Sequence, residues 1–339
     1  MTDVAIVGAG IVGAACAFEL AQAGASVEVI DPGIPGGGAT AAGMGHLVVL
    51  DHDPLSALSL TLWHQLAKHL PKQAEFWPCG TVWIAANDAE LDAARSKPGV
   101  EMLDARQLYE AEPNLRPGLA GGALAANDAV VYAPVATRWL LEQSGARLTR
   151  AAVTNLDAIQ AGAVVCATGA GAAGLLPELP IKSRKGHLAI TDRYPGLVRH
   201  QLVELGYMAS AQGDTAESVA FNVQPRPTGQ LLIGSSRQFG VETTIIDPPI
   251  LDRMLRRAFH FLPALRDCHV IRTWTGFRAS TPDKLPLIGH LRDRLYLATG
   301  HEGLGVTTSL ATAKLLAAAI LGRPAPIPPE PYRPERFHA

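Results

Sequence analysis

Val4-Ala5-Ile6-Val7-Gly8-Ala9-Gly10-Ile11-Val12-Gly13 decides how the rest of the chain is read. The first four residues are an apolar run of strand length, and three glycines follow at the spacing GxGxxG. Residues 14–23 read as an Ala-rich helix carrying Phe18 and Leu20, with Gly24 at its end. Residues 26–30 read as a second strand, which stops at the acid Asp31.

Each part has a physical role. Gly8 permits a sharp turn out of the strand, Gly10 lets backbone approach a pyrophosphate, and Gly13 lets the helix lie close on the sheet. The helix N-terminus offers free N–H groups and the positive end of its dipole, while Asp31 can accept a ribose hydroxyl. Three glycines opening a helix that binds nothing would weaken it without return. A dinucleotide-type cofactor site is the expectation.

Composition narrows the class. A chain of 339 residues can bury a large core and is long enough for two domains. A net charge of −2 argues against a nucleic-acid surface and a polybasic membrane anchor. Cys16, Cys79, Cys166 and Cys268 are scattered without a CxxC pair, as expected of buried thiols in a reducing cytoplasm. The apolar N-terminus lacks the basic start of a signal peptide. The apolar helix expected at residues 310–321 carries Lys314 and is too short to span a bilayer, so no transmembrane segment is expected.

Beyond Asp31 lies a Gly/Ala loop, residues 32–45, placed for a second backbone approach to the cofactor. A helix is expected at 55–70, stopped by Pro71, and a strand of a different sheet at 81–85. Asp104 and Gln107 have the spacing of a capping box for a helix ending before Pro113. Another helix is expected at 134–144, closed by Gly145. Residues 163–169 form a buried strand running into a glycine turn.

From 185 to 277 the alternation predicts a mainly antiparallel sheet, with strands at 186–191, 218–224 and 230–235. A helix at 249–262 interrupts it, with Ile250, Met254, Phe261 and Leu262 on its apolar face. A strand at 296–300 ends in glycine, and a helix at 308–321 closes the fold. The Pro-rich segment after Arg323 is expected to be extended over the surface.

The expected fold class is α/β: a discontinuous Rossmann-type FAD-binding domain with an inserted antiparallel-sheet substrate domain. The expected division assigns residues 1–75, 130–183 and 284–339 to the cofactor and 76–129 and 184–283 to the substrate. Three strand-to-glycine junctions dispersed along one chain suit a bulky flavin better than a nicotinamide, because the last can bring backbone N–H groups to the ring.

The matching stretches are Val4 to Asp31, Gly38 to Gly43, Val164 to Gly169 and Lys185-Gly186-His187. Two more specific ones are Gly276-Phe277-Arg278-Ala279-Ser280-Thr281-Pro282-Asp283 and Gly300-His301-Glu302-Gly303-Leu304-Gly305. Together they resemble the FAD-dependent D-amino-acid oxidase family, which includes glycine oxidase, sarcosine oxidase and dehydrogenases of proline-like amino acids. Within it, Gly43-Met44-Gly45-His46-Leu47 most resembles the catalytic subunits of D-hydroxyproline dehydrogenases.

The resemblance implies non-covalent FAD held by Gly8, Gly10, Ile11, Val12 and Gly13, by Asp31 and Pro32, and by Thr40, Ala41, Gly43, Met44, Gly45 and His46. It adds Val153, Ala167, Thr168 and Gly169, then Gly300, His301, Glu302, Gly303, Leu304, Gly305, Val306 and Thr307, and Arg278. It also implies that Arg278 grips the substrate carboxylate through its planar fork. An ion pair between Arg278 and Asp283 is the structural alternative. Tyr207 is the other residue assigned to the catalytic side.

The chain departs from the family pattern at two positions. His187 replaces the Gln usual after Lys-Gly, and Leu232 stands where some oxidases carry an oxygen-activating Lys, which favours a dehydrogenase. No thiol lies near Gly276 or the 300–305 loop for covalent flavin attachment.

The expected reaction is hydride transfer from a small D-proline-like, D-hydroxyproline-like or N-substituted amino acid to flavin N5, giving an imine. The alternatives are a glycine or sarcosine-type oxidase using oxygen, a hydroxy-acid flavoenzyme, and a non-catalytic flavin-bound assembly subunit. The resemblance further implies partner subunits carrying another flavin or an iron–sulfur centre, since four dispersed cysteines do not readily ligate a cluster. A cytoplasmic location is expected, with peripheral attachment to the inner membrane through an electron acceptor. A metal site at His46, Asp51, His52 and Asp53 is not expected, because neighbouring side chains in an extended segment point opposite ways.

Overall fold

The computed structural model describes residues 2–49, 53–206 and 216–337. Tyr207 lies outside the described residues, as do Asp51 and His52. Two sheets dominate the rest. The first has six strands in the order Leu287–Arg292, Leu295–Thr299, Ala161–Cys166, Thr2–Val7, Val27–Ile30 and Arg147–Thr149. All neighbours run parallel except the first two. Parallel strands need covered faces. Val4 and Ile6 face a core shared with the Ile11–Gln22, Ala133–Ser144 and Gly305–Leu321 helices, while Ala5 and Val7 face Leu176, Leu179 and Ile181.

The second sheet has eight strands. Its order is Val270–Ser280, Lys182–Arg193, Gln230–Phe239, Glu217–Pro225, Gln201–Glu204, Thr81–Ala85, Gly121–Ala125 and Glu101–Asp104. It is antiparallel apart from one pair, Gln201–Glu204 beside Thr81–Ala85, which come together parallel from distant parts of the chain. One face is covered by the Pro248–Phe261 helix, which buries Ile250, Met254, Ala258 and Phe261, and Phe261 stacks on Phe221 at 4.7 Å. The opposite face looks toward the first sheet and builds the site.

Local chemistry sets most boundaries. Asp104 accepts Gln107 N–H at 2.8 Å and Gln107 returns the contact, so the Ala105–Ala111 helix opens with the expected capping box. Gly145 adopts a left-handed conformation behind Ala133–Ser144. The first helix begins at Ile11, three residues earlier than its alanine run suggests, because Ile11-Val12-Gly13 form its first turn behind Gly10 at the N-cap. Residues 39–42, expected as loop, form one helical turn. The helix Asp88–Ala94 and the strands Glu101–Asp104 and Gly121–Ala125 carry too little apolar periodicity to be read in advance.

Asp53 caps the Pro54–Ala67 helix by accepting Ser56 N–H at 2.9 Å, and its other oxygen takes the Tyr332 hydroxyl at 2.6 Å. Tyr332, 2 % exposed, therefore pins the Pro-rich end of the chain to the cofactor-side core. Tyr332→Ala is expected to lower stability by about 3 kcal/mol, as a large buried aromatic does when truncated. Tyr332→Phe is expected to cost only about 1 kcal/mol, the scale of a single hydrogen bond. Urea unfolding of both variants checks the ranking.

Candidate active site

The carboxyl ends of Thr2–Val7, Val27–Ile30, Ala161–Cys166 and Leu295–Thr299 share one edge of the parallel sheet, where open α/β folds place their ligands. At that edge a Cβ on Gly8 would stand 2.4 Å from Ala167 O, and one on Gly13 would stand 2.0 Å from Gly8 O. Neither position admits a side chain. A Cβ on Gly10 would meet only Thr40 Oγ1, at 3.4 Å, and around Gly38 and Gly169 nothing lies within 4 Å.

This is bare backbone beside a helix N-terminus whose first-turn N–H groups have no intrahelical carbonyl. One of them, Ile11 N–H, donates to Thr40 Oγ1 at 3.0 Å. Asp31 accepts Ala9 N–H at 2.8 Å and Gly33 N–H at 2.7 Å, so it holds the glycine turn and keeps a second lone pair on each oxygen. Pro32 O takes Arg150 Nε, Val153 packs with the Ala5 and Val7 core, and Gly169 O accepts the Thr299 hydroxyl at 3.1 Å. An adenine dinucleotide suits this donor-rich, side-chain-free cradle.

Two further segments converge beside it. Gly36 N–H donates to Ala9 O, which folds the 32–45 loop onto the turn. Ala42 fills the space over Gly276, where an added Cβ would stand 2.4 Å from Ala42 Cβ, and Trp274 Nε1 donates to Ala42 O. Gly45 is left-handed and touches Val131 O so closely that only glycine fits. Met44 packs with Leu188 and Leu232, so Leu232 sits in an apolar cluster. The Thr307 hydroxyl donates to His46 O at 2.9 Å and Trp63 Nε1 to Val306 O at 3.1 Å, joining this segment region to the start of the last helix.

The 300–305 loop is pinned from both sides. Glu302 donates its N–H to Ala279 O at 2.8 Å, and its side chain pairs with the fully buried Arg184 at 2.8 Å. His301 points into the protein, with Nε2 3.0 Å from Thr312 Oγ1. Both side chains are thus turned inward, and the loop has only backbone and Leu304 to offer outward. Burial pushes the His301 pKa down to about 3.

That shift carries a sign. Unfolded His301 takes a proton near its ordinary 6.5, whereas the folded residue resists it, so its stabilisation is complete above pH 6.5 and is lost as pH falls toward 3. His301→Asn is expected to flatten the decline of stability across that window, which thermal unfolding at a series of pH values reads directly.

Arg278 reaches across the neighbouring strand. A Cβ on Gly186 would stand 2.4 Å from Arg278 Nη1, so the guanidinium lies flat over bare backbone, and Nη1 donates to Ser236 O at 3.1 Å. On its other side a Cβ on Gly303 would stand 3.5 Å from Arg278 Nε, which sets the arginine against the 300–305 loop. Asp283, the alternative partner considered for Arg278, pairs with Arg336 at 2.7 Å.

His187 stands behind this arrangement. Asp247 donates its N–H to His187 Nε2 at 3.0 Å, which makes Nε2 an acceptor and leaves the proton on Nδ1, 2.9 Å from Ser236 Oγ. Burial holds the His187 pKa below the usual value, and the Lys185 and Arg278 charges act in the same direction. Lys185 Nζ donates to Ile245 O and the Thr275 hydroxyl to Thr244 O, so residues 244–247 are strapped across these strands.

A polar cluster completes the same face. His46 Nδ1 makes a short contact with Gln201 Oε1, Gln224 Nε2 lies 3.3 Å from Nδ1, and Arg226 Nη1 reaches Gln224 Oε1 at 3.5 Å. Asn222 and Gln224 were not singled out from sequence. Their signal was polar residues at alternating positions in an otherwise apolar strand. Two surface concavities, at Asp252, Arg256 and His260 and at Trp77, Tyr194 and Arg226, include neither Arg278 nor the glycine turn in their linings.

A parallel sheet with a glycine cradle, joined to a second sheet that presents an arginine beside it, is the frame of a dinucleotide-binding protein of two-sheet design. The chain belongs to the FAD-dependent oxidoreductase family, whose model matches residues 3–319, and it is a flavoenzyme.

Among similar proteins, a glycine oxidase of Pseudomonas putida is 26% identical over 98% of both chains. A D-amino-acid oxidase of Bradyrhizobium diazoefficiens is 27% identical over 98% of both. The crystal structure of glycine oxidase from Geobacillus kaustophilus superposes with a TM-score of 0.85 at 26% identity, covering 98% of each chain. A bifunctional ThiO/ThiG protein of Trichormus variabilis is 28% identical over 94% of this chain, which spans about half of that relative's length (52%).

Proposed function

We propose that this protein oxidises a small amino acid, cyclic or N-substituted, at its Cα–N bond, and that it works as a dehydrogenase. The observation that carries the reading is Arg278, a planar cation laid on Gly186 and facing the glycine-rich 300–305 loop. The names of the glycine and D-amino-acid oxidase relatives support a substrate carrying both amine and carboxylate. In this reading the first-helix N-terminus, Asp31, the 39–46 segment and the 300–307 backbone hold FAD. Residues 1–75, 130–183 and 284–339 then form the cofactor domain, and 76–129 and 184–283 the substrate domain.

FAD, when bound, supplies the hydride acceptor. The chain's own residues bind and aim. Arg278 takes the carboxylate in a bidentate pair and fixes the direction of the Cα–H. Ser236 O and the Gly303 contact hold the guanidinium in place, and the Arg184–Glu302 pair keeps the loop at a fixed distance. Met44, Leu188, Leu232 and Trp274 keep that part of the face apolar, which strengthens the carboxylate contact. With Leu232 in this cluster no cation stands at that position, which supports an acceptor other than oxygen. A glycine-oxidase-type activity is the second reading, favoured by the relatives' names. A partner subunit that receives the electrons belongs to the first reading; one relative of part of the chain is a hydrogen cyanide synthase subunit.

The test is anaerobic mixing of the holoenzyme with D-proline, cis-4-hydroxy-D-proline, sarcosine, glycine and lactate. Flavin bleaching by an amine supports the proposal. Bleaching by lactate alone points to a hydroxy acid, and no bleaching by any of them points to a non-catalytic subunit. Repeating the productive case in air separates oxidase from dehydrogenase.

A further inference from the structure

We propose that Ser236, locked by His187, is a positioning residue for Arg278: its hydroxyl takes the place of its own carbonyl in the sheet, and the carbonyl is thereby left to hold the guanidinium. On the reading of Arg278 as the carboxylate anchor, on which this rests, the device is what presets the fork.

Strand register shows the substitution. Lys182–Arg193 and Gln230–Phe239 run antiparallel, with Arg184 opposite Phe239 and Lys185 opposite Gln238. Continued by two residues, that register sets His187 opposite Ser236. In a regular antiparallel ladder, opposite residues whose N–H groups turn toward each other exchange both bonds, so His187 N–H would donate to Ser236 O. It donates instead to Ser236 Oγ, at 2.9 Å. The pairing then slips: Ala189 lies opposite Ile233, so three residues of one strand face four of the other in a β-bulge. Ser236 O, its place in the ladder taken by the hydroxyl, accepts Arg278 Nη1 at 3.1 Å.

The two contacts come from opposite faces of the sheet. Arg278 lies over Gly186, and neighbouring side chains alternate, so His187 points to the other face. Lys185 and Gln238 point there as well: Lys185 Nζ donates to Ile245 O, and Gln238 Nε2 to Asp247 Oδ2 at 3.0 Å. Asp247 caps the Pro248–Phe261 helix and donates its N–H to His187 Nε2 at 3.0 Å. The proton on Nδ1 therefore goes to Ser236 Oγ, 2.9 Å away. With two donors on it, the hydroxyl oxygen has both lone pairs engaged and is held in the ladder. His187 and Ser236 are fully buried, so bulk water does not replace these bonds. A line of hydrogen bonds thus runs from the start of a helix, through the sheet, to the guanidinium. Holding that long side chain in one rotamer before substrate arrives lowers the entropy cost of binding.

Anaerobic rapid mixing of the holoenzyme with D-proline, cis-4-hydroxy-D-proline, sarcosine and glycine tests this. Each amine that bleaches the flavin yields a half-saturating concentration and a limiting rate. Ser236→Ala is expected to raise the half-saturating concentration about tenfold, the scale of one hydrogen bond to a charged group, and to change the limiting rate by less than about threefold. Ser236→Thr, which keeps the hydroxyl, is expected to recover most of the loss. His187→Leu is expected to raise the half-saturating concentration about threefold, since the backbone bond of residue 187 remains. His187→Asn is expected to recover it, because its amide donor stands where Nδ1 does. In the Arg278→Met background, Ser236→Ala is expected to change nothing further beyond about twofold, because a residue that acts through another is not additive with it.

An equal loss in both backgrounds makes Ser236 merely structural and overturns the proposal. Wild-type half-saturation in Ser236→Ala does the same. Either result leaves the amino-acid reading standing so long as Arg278→Met alone is impaired. If Ser236→Ala does not retain FAD, the His187 pair decides: loss in His187→Leu with recovery in His187→Asn supports the device, and any other pattern overturns it. Wild-type kinetics in Arg278→Met, or no bleaching of wild type by any of the amines, overturns the reading and the positioning role together.

Discussion

Arg278→Met is expected to lower kcat/KM for an amino-acid substrate by roughly a thousandfold, the scale of removing one partner from a buried carboxylate–guanidinium pair. FAD content and the melting temperature should stay close to wild type. The reason lies in how the side chain is held: Nη1 donates to Ser236 O, and the guanidinium rests on Gly186 without filling an apolar core. Arg278→Lys is expected to recover little, because a point charge cannot reproduce the fork that matches a carboxylate. Steady-state kinetics with several substrates, together with the flavin spectrum, check both. Unchanged kinetics in the Met variant would remove Arg278 from the site.

The second large effect is expected at the glycine turn. Gly13→Val places a Cβ where 2.0 Å separates it from Gly8 O, so either the helix lifts from the sheet or the turn opens. Both movements disturb the helix N-terminus on which a pyrophosphate would rest. The variant is expected to lose at least about 3 kcal/mol of stability, as overpacked backbone contacts do, and to purify without yellow colour. Gly174→Ala is the control: nothing lies within 4 Å of its Cβ position, in a helical turn, and it should be neutral or slightly stabilising. Denaturant unfolding and flavin absorbance after FAD saturation separate the two. A yellow, stable Gly13→Val protein would refute the close-packed turn.

How much of this was legible in advance depends on the range of the interaction. Residues 4–31 could be read because strand, turn, helix and acid are neighbours in sequence and each constrains the next. The Asp104 capping box, the left-handed Gly145 and the apolar face at Ile250, Met254 and Phe261 are legible for the same reason. Arg278 was found through the motif around it. Its seat on Gly186 was not, because that contact is fixed by register between Lys182–Arg193 and Val270–Ser280. The inward turn of His301 and Glu302 also escaped reading. Their partners, Thr312 on a helix and Arg184 on a distant strand, are chosen by packing.

Taken alone, the amino-acid sequence determined the nucleotide-binding frame, the kind of cofactor it suits and the segments that line it, since these follow from glycine spacing and short periodicities. Tertiary structure alone decided which polar groups meet across the inserted sheet. His46, Gln201 and Asn222 come from three separate segments and share a face only because strands pair and alternate their side chains. No local pattern records that meeting, because strand register is set by the burial of whole sheets.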